Sequence, residues 1–187
     1  MTDEVLKHFR ESSQVKLLFA ETYSDKISEV AGIISNALKD GNKVLIFGNG
    51  GSASDAQHIA AELIGRFKLD RRPLPAIALS ADSSILTALA NDIGFETIFE
   101  RQIEALCMPG DIAIGISTSG RSKNVIRGLL KAKGLGATTI AFTGKDGGEL
   151  VNLAHYCFVV PSYDTARVQE CHITLAHVLC ELIERGL

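Results

Sequence analysis

The sequence predicts an α/β protein: a doubly wound, five-stranded parallel sheet flanked by helices, with a helical arm at its amino terminus. Three observations lead there. Five short β-rich runs recur along the chain, at residues 43–47, 75–79, 112–116, 138–142 and 156–160. Several are continuously apolar rather than alternating, as strands covered on both faces must be. Segments with helical periodicity lie between most of them, and short connections then imply parallel strands joined by right-handed crossovers.

The first 40 residues predict the arm. Val5, Phe9, Val15, Leu18 and Phe19 recur near helical spacing, and after Tyr23-Ser24 a second helix places Ile27, Val30, Ala31, Ile34 and Leu38 on one face. Asp40-Gly41-Asn42 stops it. Further helices are expected at 54–67, 83–90, 96–106, 122–133 and 166–185. No internal repeat or linker interrupts the pattern, so residues 1–187 are expected to form one domain.

Composition narrows the functions. With 46% hydrophobic and 22% charged residues, a buried core is affordable and wholesale disorder is not expected. A net charge of −3 argues against a nucleic-acid surface. Any bound phosphate must then be held by local geometry rather than by overall charge. The acidic start lacks the apolar core of a signal peptide, and no apolar run approaches the roughly 18 residues of a membrane span, so a cytoplasmic location is expected. Cys107, Cys157, Cys171 and Cys180 include no CxxC pair and read as buried, reduced thiols.

In such sheets ligands collect beyond the carboxyl ends of the strands. Two loops there are unusual. The first, Gly48-Asn49-Gly50-Gly51-Ser52-Ala53-Ser54, has three glycines that let the backbone approach a ligand. Ser52 or Ser54 is expected to cap the next helix, Ser54 and Gln57 having capping-box spacing. Gly48-x-Gly50-x-x-Ala53 also meets a loose dinucleotide fingerprint. The acidic partner expected about 20 residues on is missing, since Asp82 lies 34 positions after Gly48. The second loop, Ser117-Thr118-Ser119-Gly120-Arg121-Ser122, carries four hydroxyls within six residues and opens onto a helix. That exceeds what capping requires and suits a phosphate, with Arg121 and Lys123 adding attraction. Neither loop continues into Gly-Lys-Ser/Thr, so no nucleotide cofactor is expected.

Candidate acid–base groups lie on two helices. His58 and Glu62, four apart, share a face; the last helix offers Gln169, Glu170, His172 and His177. Histidines, a glutamate and a glutamine could surround one divalent ion. Gln169 and His177 are nevertheless about 12 Å apart along an ideal helix, so both reach one ion only if long side chains converge, the helix start is irregular, or another subunit completes the site. His172 is as readily a structural residue.

The run Gly48-Asn-Gly-Gly-Ser-Ala-Ser-Asp-Ala-Gln-His-Ile-Ala-Ala-Glu-Leu, then Ala90-Asn91-Asp92, the 115–124 loop, Val168-Gln-Glu-Cys-His-Ile and His177 together resemble the phosphoheptose isomerase family of SIS domains, which are flavodoxin-like. The resemblance implies that Asn49, Gly50, Gly51, Ser52, Glu62, Asn91, Asp92, Ser117, Thr118, Ser119, Ser122 and Gln169 bind a sugar phosphate. It implies an acid–base pair, Glu62 and His177, and a zinc ion on His58, Glu62, Gln169 and His177. It further implies a homotetramer, packed partly through residues 1–40, that isomerises sedoheptulose 7-phosphate in bacterial heptose synthesis. The alternative is a non-catalytic relative of the same fold that binds the replication initiator, which would need neither Glu62 nor His177.

Overall fold

The computed structural model describes residues 2–187. The amino-terminal arm is one continuous helix, α1 (Thr2–Lys39), rather than the two expected. Neither Tyr23 nor Ser24 is a glycine or proline, and Thr22 Oγ1 bonds back to the Leu18 carbonyl at 2.8 Å, so nothing breaks the ladder there. Its second half buries Ile27, Val30, Ala31, Ile34 and Leu38. Its first half projects Val5, Leu6, Phe9, Leu17 and Leu18 into solvent, Phe9 being 72% exposed. Gly41, at φ +87°, ends the helix, and the Asn42 N–H bonds to Ala37 O.

Five strands follow: β1 (Val44–Gly48), β2 (Ala76–Ala78), β3 (Ile112–Ser117), β4 (Thr138–Gly144) and β5 (Tyr156–Val160). They form one sheet in the order β2-β1-β3-β4-β5, every pair parallel. The expected doubly wound sheet is therefore present. The helices between strands are α2 (Gly51–Ile64), α3 (Ser83–Asp92), α4 (Ile98–Leu106) after a 3₁₀ turn at Phe95–Thr97, α5 (Lys123–Gly134), the short α6 (Leu150–Leu153) and the closing α7 (Thr165–Arg185).

Alternate side chains of each buried strand feed two cores. Ile46, Ile114, Ile116, Phe142 and Phe158 pack under α1, α2 and α7. Leu45, Phe47, Ala113, Ala141 and Cys157 pack under α4, α5 and α6. Both faces being covered, the strands read as unbroken apolar runs, as the sequence pattern required. All four cysteines are free and buried. Burial lifts the Cys180 thiol to about 12 and those of Cys157 and Cys171 to about 11, which leaves them unreactive. Among the described residues, no helix is long and apolar enough to cross a membrane.

Because the order reverses at β1, the carboxyl ends of β1 and β3 lie side by side, with Gly48 in register with Ile116. That is the topological switch point at which such sheets bind ligands. At the opposite end Asp111, 1% exposed, accepts from the Lys43 N–H (3.0 Å), the Lys43 ammonium (2.6 Å) and the Met108 N–H (2.8 Å). Asp111→Ala leaves these donors without their acceptor and should cost roughly 2–3 kcal/mol in urea unfolding. An unchanged midpoint would contradict the role given to this carboxylate.

Candidate active site

The β1 loop is tight because β3 leaves it no room. A Cβ on Gly48 would lie 2.8 Å from both Ile116 O and Ser52 Cβ. Gly50 then adopts φ +57°, and α2 starts at Gly51, three residues before the expected Ser54. Neither Ser52 nor Ser54 caps it: Gly50 is the N-cap, without a side-chain bond. The turn closes through its own backbone, Ser52 N–H to Asn49 O and Ala53 N–H to Gly50 O, both at 3.0 Å, so no capping hydroxyl is needed. Ser52 is buried instead.

Asn49 is locked to Asn124 on α5 by reciprocal amide bonds of 2.9 and 2.8 Å, and Asn124 Oδ1 also accepts the Val125 N–H. Asn124, 2% exposed, thus ties the two loops together. In the sequence it is only the last residue of the 115–124 loop; its place one residue inside the helix after a hydroxyl-rich loop is the signal for its role.

In the second loop the Ser117 and Ser122 hydroxyls lie 2.9 Å apart, Ser117 being buried while Thr118 and Ser119 are half-buried. Ser122 is the N-cap of α5 and makes no side-chain capping bond, leaving its hydroxyl and the helix start available to an anion. Gly120 (φ +65°) is wedged against the 144–149 turn, where a Cβ would fall 2.0 Å from Gly147 O. Arg121 has a partner that the sequence did not predict. Its guanidinium is paired bidentately with Asp146 at 2.8 and 2.6 Å and bonds Ser119 O; Arg121 holds the Asp146 carboxyl down at about 2. The loop otherwise offers neutral donors and Lys123. A cleft of about 230 Å³ opens between the loops, lined by Asn49, Phe95, Glu96, Ser122, Lys123 and Asn124. Asn91 and Asp92, exposed and bonded to each other at 2.7 Å, close α3 just before Phe95 and lie outside that lining. Asp82 caps α3 by accepting from the Ile85 N–H.

The acid–base candidates meet on the seam between α2 and α7. His58 Nε2 lies 3.0 Å from His177 Nε2 and 3.3 Å from Glu62 Oε1, and the ligand atoms of the three fall within 4.8 Å of one another. At this distance one ring N–H can donate to the other ring nitrogen, or, with both Nε2 atoms bare, two lone pairs face one cation. Ligand atoms around a tetrahedral zinc stand about 3.3 Å apart, so these donors fit one ion. Gln169, the fourth expected ligand, is placed differently: its amide presses on the β1 loop, 2.5 Å from where a Gly51 Cβ would be. Phe67 stacks on His177, centroids 5.5 Å apart at 21°. Asp55, one turn before His58 and not singled out from sequence, is half-buried with Oδ2 unpartnered. Burial pushes its carboxyl above the usual range, and His58 opposes the shift.

His172 is structural. It is 1% exposed, its Nε2 donates to Thr143 O at 3.1 Å, and burial lowers its pKa to about 4.

These features define a class before they define a member. Residues 7–144 match the SIS domain family model, and the chain belongs to the SIS family. Within it the chain is a member of the phosphoheptose isomerases and hence an isomerase. It is 73% identical to the phosphoheptose isomerase of Aquifex aeolicus over 184 residues, 98% of this chain and 96% of that one. It also superposes on the solved phosphoheptose isomerases of Neisseria gonorrhoeae (TM-score 0.92, 39% identity) and Francisella tularensis (TM-score 0.94, 37% identity), each over 98% of both chains.

The buried neutral imidazole carries a pH signature. Below pH 6.5 the unfolded chain takes up a proton that folded His172 refuses until about pH 4, so stability falls as pH falls through that window. Between pH 7 and pH 5 this group should contribute a loss of about 2 kcal/mol. In urea unfolding at the two pH values, His172→Gln should flatten the dependence by that amount; parallel curves for both proteins would contradict it.

Proposed function

We propose that this isomerase interconverts sedoheptulose 7-phosphate and D-glycero-D-manno-heptose 7-phosphate, the entry step to a bacterial nucleotide-activated heptose, in the cytoplasm. The observation that carries the reading is the convergence of Glu62, His58 and His177 from two helices. A protein that only binds a sugar phosphate or a partner has no use for a carboxylate and two imidazoles whose reactive atoms face one another.

Ketose–aldose isomerisation moves a proton from C1 to C2 through an enediol. Glu62, its side chain about one quarter exposed, takes the C1 proton and returns it to C2, while His177 carries the O1 proton to O2. The distant phosphate is anchored by Ser117, Thr118, Ser119 and Ser122 at the start of α5, and binding energy there orients the reacting end. Asn49, held by Asn124, together with Gly50, Gly51, Ser52, Asn91, Asp92 and Gln169, contacts the polyol. His58, Glu62 and His177 would hold a zinc ion; Gln169, which lies against the β1 loop of its own chain, would join them only from a second copy. When bound, that ion supplies Lewis-acid polarisation of the carbonyl. No nucleotide takes part.

One geometric fact supports assembly. Glu62 lies eleven residues beyond Gly51, roughly 16 Å down an ideal helix from the β1 loop. The reacting groups and the phosphate loop therefore sit toward opposite ends of α2 within one chain. We infer that a second copy supplies the missing half of each site in a homotetramer, packed partly through the exposed apolar side chains of α1.

Glu62→Gln and His177→Ala should keep the fold and lower formation of heptose 7-phosphate by at least 10²-fold, about the contribution of a positioned acid or base; near-normal turnover in either would remove it from the mechanism. Separately, chelator-stripped enzyme should lose turnover and regain it with zinc. Full activity of the metal-free protein would exclude a required ion without touching the acid–base assignment.

A further inference from the structure

The most heavily bonded carboxylate among the described residues is used by no step above. Glu184, two turns beyond His177 on α7, has a side chain only 1% exposed. It accepts the backbone N–H groups of Phe67 (2.7 Å), Lys68 (2.8 Å) and Leu69 (3.0 Å) and the Nε–H of Arg71 (2.9 Å). Arg71 in turn donates through Nη1 to Leu63 O and through Nη2 to Glu62 O, each at 2.9 Å. These are last-turn carbonyls of α2, which a helix end leaves without intrahelical partners. One ion pair thus fastens three pieces together: the end of α2 that bears Glu62, the 67–69 segment, and the part of α7 that bears His177.

The segment so fastened carries Phe67, whose ring lies nearly parallel to the His177 imidazole. A planar neighbour on one face restricts rotation of the imidazole about χ2, and hence where Nε2 points. We propose that Arg71 and Glu184 are positioning residues of the acid–base centre, acting through the Glu62 carbonyl and through Phe67, which sets the orientation of the His177 ring. The proposal rests on Glu62 and His177 being the reacting pair. It adds that their mutual geometry depends on a buried ion pair away from the substrate. A misplacement of about 1 Å can cost on the order of 10²-fold in rate, so a device that only orients a ring can have a measurable share in turnover.

Phe67 is half-buried, so its replacement tests the idea without unfolding the protein. Phe67→Leu keeps apolar bulk and removes the flat face; Phe67→Tyr keeps the face. Two readouts are needed. The first is the imidazole C–H resonances of His177, assigned with a His177 variant, which the ring current of a stacked Phe67 displaces upfield. The second is kcat and KM on the ketose phosphate that the wild-type enzyme turns over. Phe67→Leu should lose the upfield displacement and about tenfold in kcat, with KM within about twofold, because the phosphate end is held elsewhere. Phe67→Tyr should restore both. Glu184→Gln, measured well below its melting temperature, should change both in the direction of Phe67→Leu. Wild-type kcat in Phe67→Leu, equal losses in the Leu and Tyr variants, or an undisplaced His177 resonance in the wild type would each overturn the proposal. Failure of the isomerase reading looks different: the wild type would turn over no ketose phosphate, or His177→Ala would be fully active, whatever the resonance shows.

Discussion

The site depends on the packing of α2 against α7. Ile59, Leu63, Ala176, Leu179 and Cys180 form a dry seam over Val44, Ile114 and Phe142 of the sheet. On the solvent side of that seam, α2 presents His58 and Glu62 one turn apart and α7 presents His177. Spacing on either helix produces only half of the constellation. Its Nε2-to-Nε2 distance of 3.0 Å is a property of the seam, so anything that rotates or slides one helix disperses the three side chains. The buried Arg71–Glu184 pair bridges the same two helices at their carboxyl ends. A buried ion pair is weak evidence for stability as such; here it also meets the Glu62 carbonyl at a helix end and three N–H groups of the 67–69 segment.

The hydroxyl-rich loop is built differently. The chain is net acidic, and the one arginine in the hydroxyl loop is neutralised by Asp146. What remains is geometry: the Ser117–Ser122 hydroxyl pair, a helix start, and glycines at 48 and 120 that let neighbouring backbone come closer than a Cβ would allow. A phosphate bound there, as proposed, would be held by neutral donors, a helix start and one lysine.

Much of this was legible in the sequence, for identifiable reasons. All five strands were found, Tyr156–Val160 with the same bounds, because buried parallel strands leave continuous apolar runs that little else mimics. The errors came from polar residues read locally. Tyr23-Ser24 suggested a break in α1, and Ser54-x-x-Gln57 suggested a cap, yet the helix ladder and the Asn49–Gly50 turn satisfy their own backbone groups. His58 and Glu62 were legible as an i, i+4 pair. Their meeting with His177, 119 residues from His58, was supplied by family resemblance and not by spacing. Asn124, Arg71 and Glu184 escaped because their partners are another loop's amide and distant backbone groups, and such bonds leave no periodic trace. The pairing of Arg121 with Asp146, 25 residues away, is likewise invisible to local reading.

The central claim is that one chain holds two half-sites toward opposite ends of α2 and that a second copy joins them. Mixed assembly tests it most directly. Chains carrying Glu62→Gln are refolded together with chains carrying both Ser117→Ala and Ser122→Ala, and heptose 7-phosphate formation is compared with that of each parent alone. Shared sites predict that the hybrid regains activity absent from both parents, since some interfaces then combine an intact loop with an intact acid–base centre. A hybrid as inactive as its parents, in assemblies shown to contain both chains, would contradict the account.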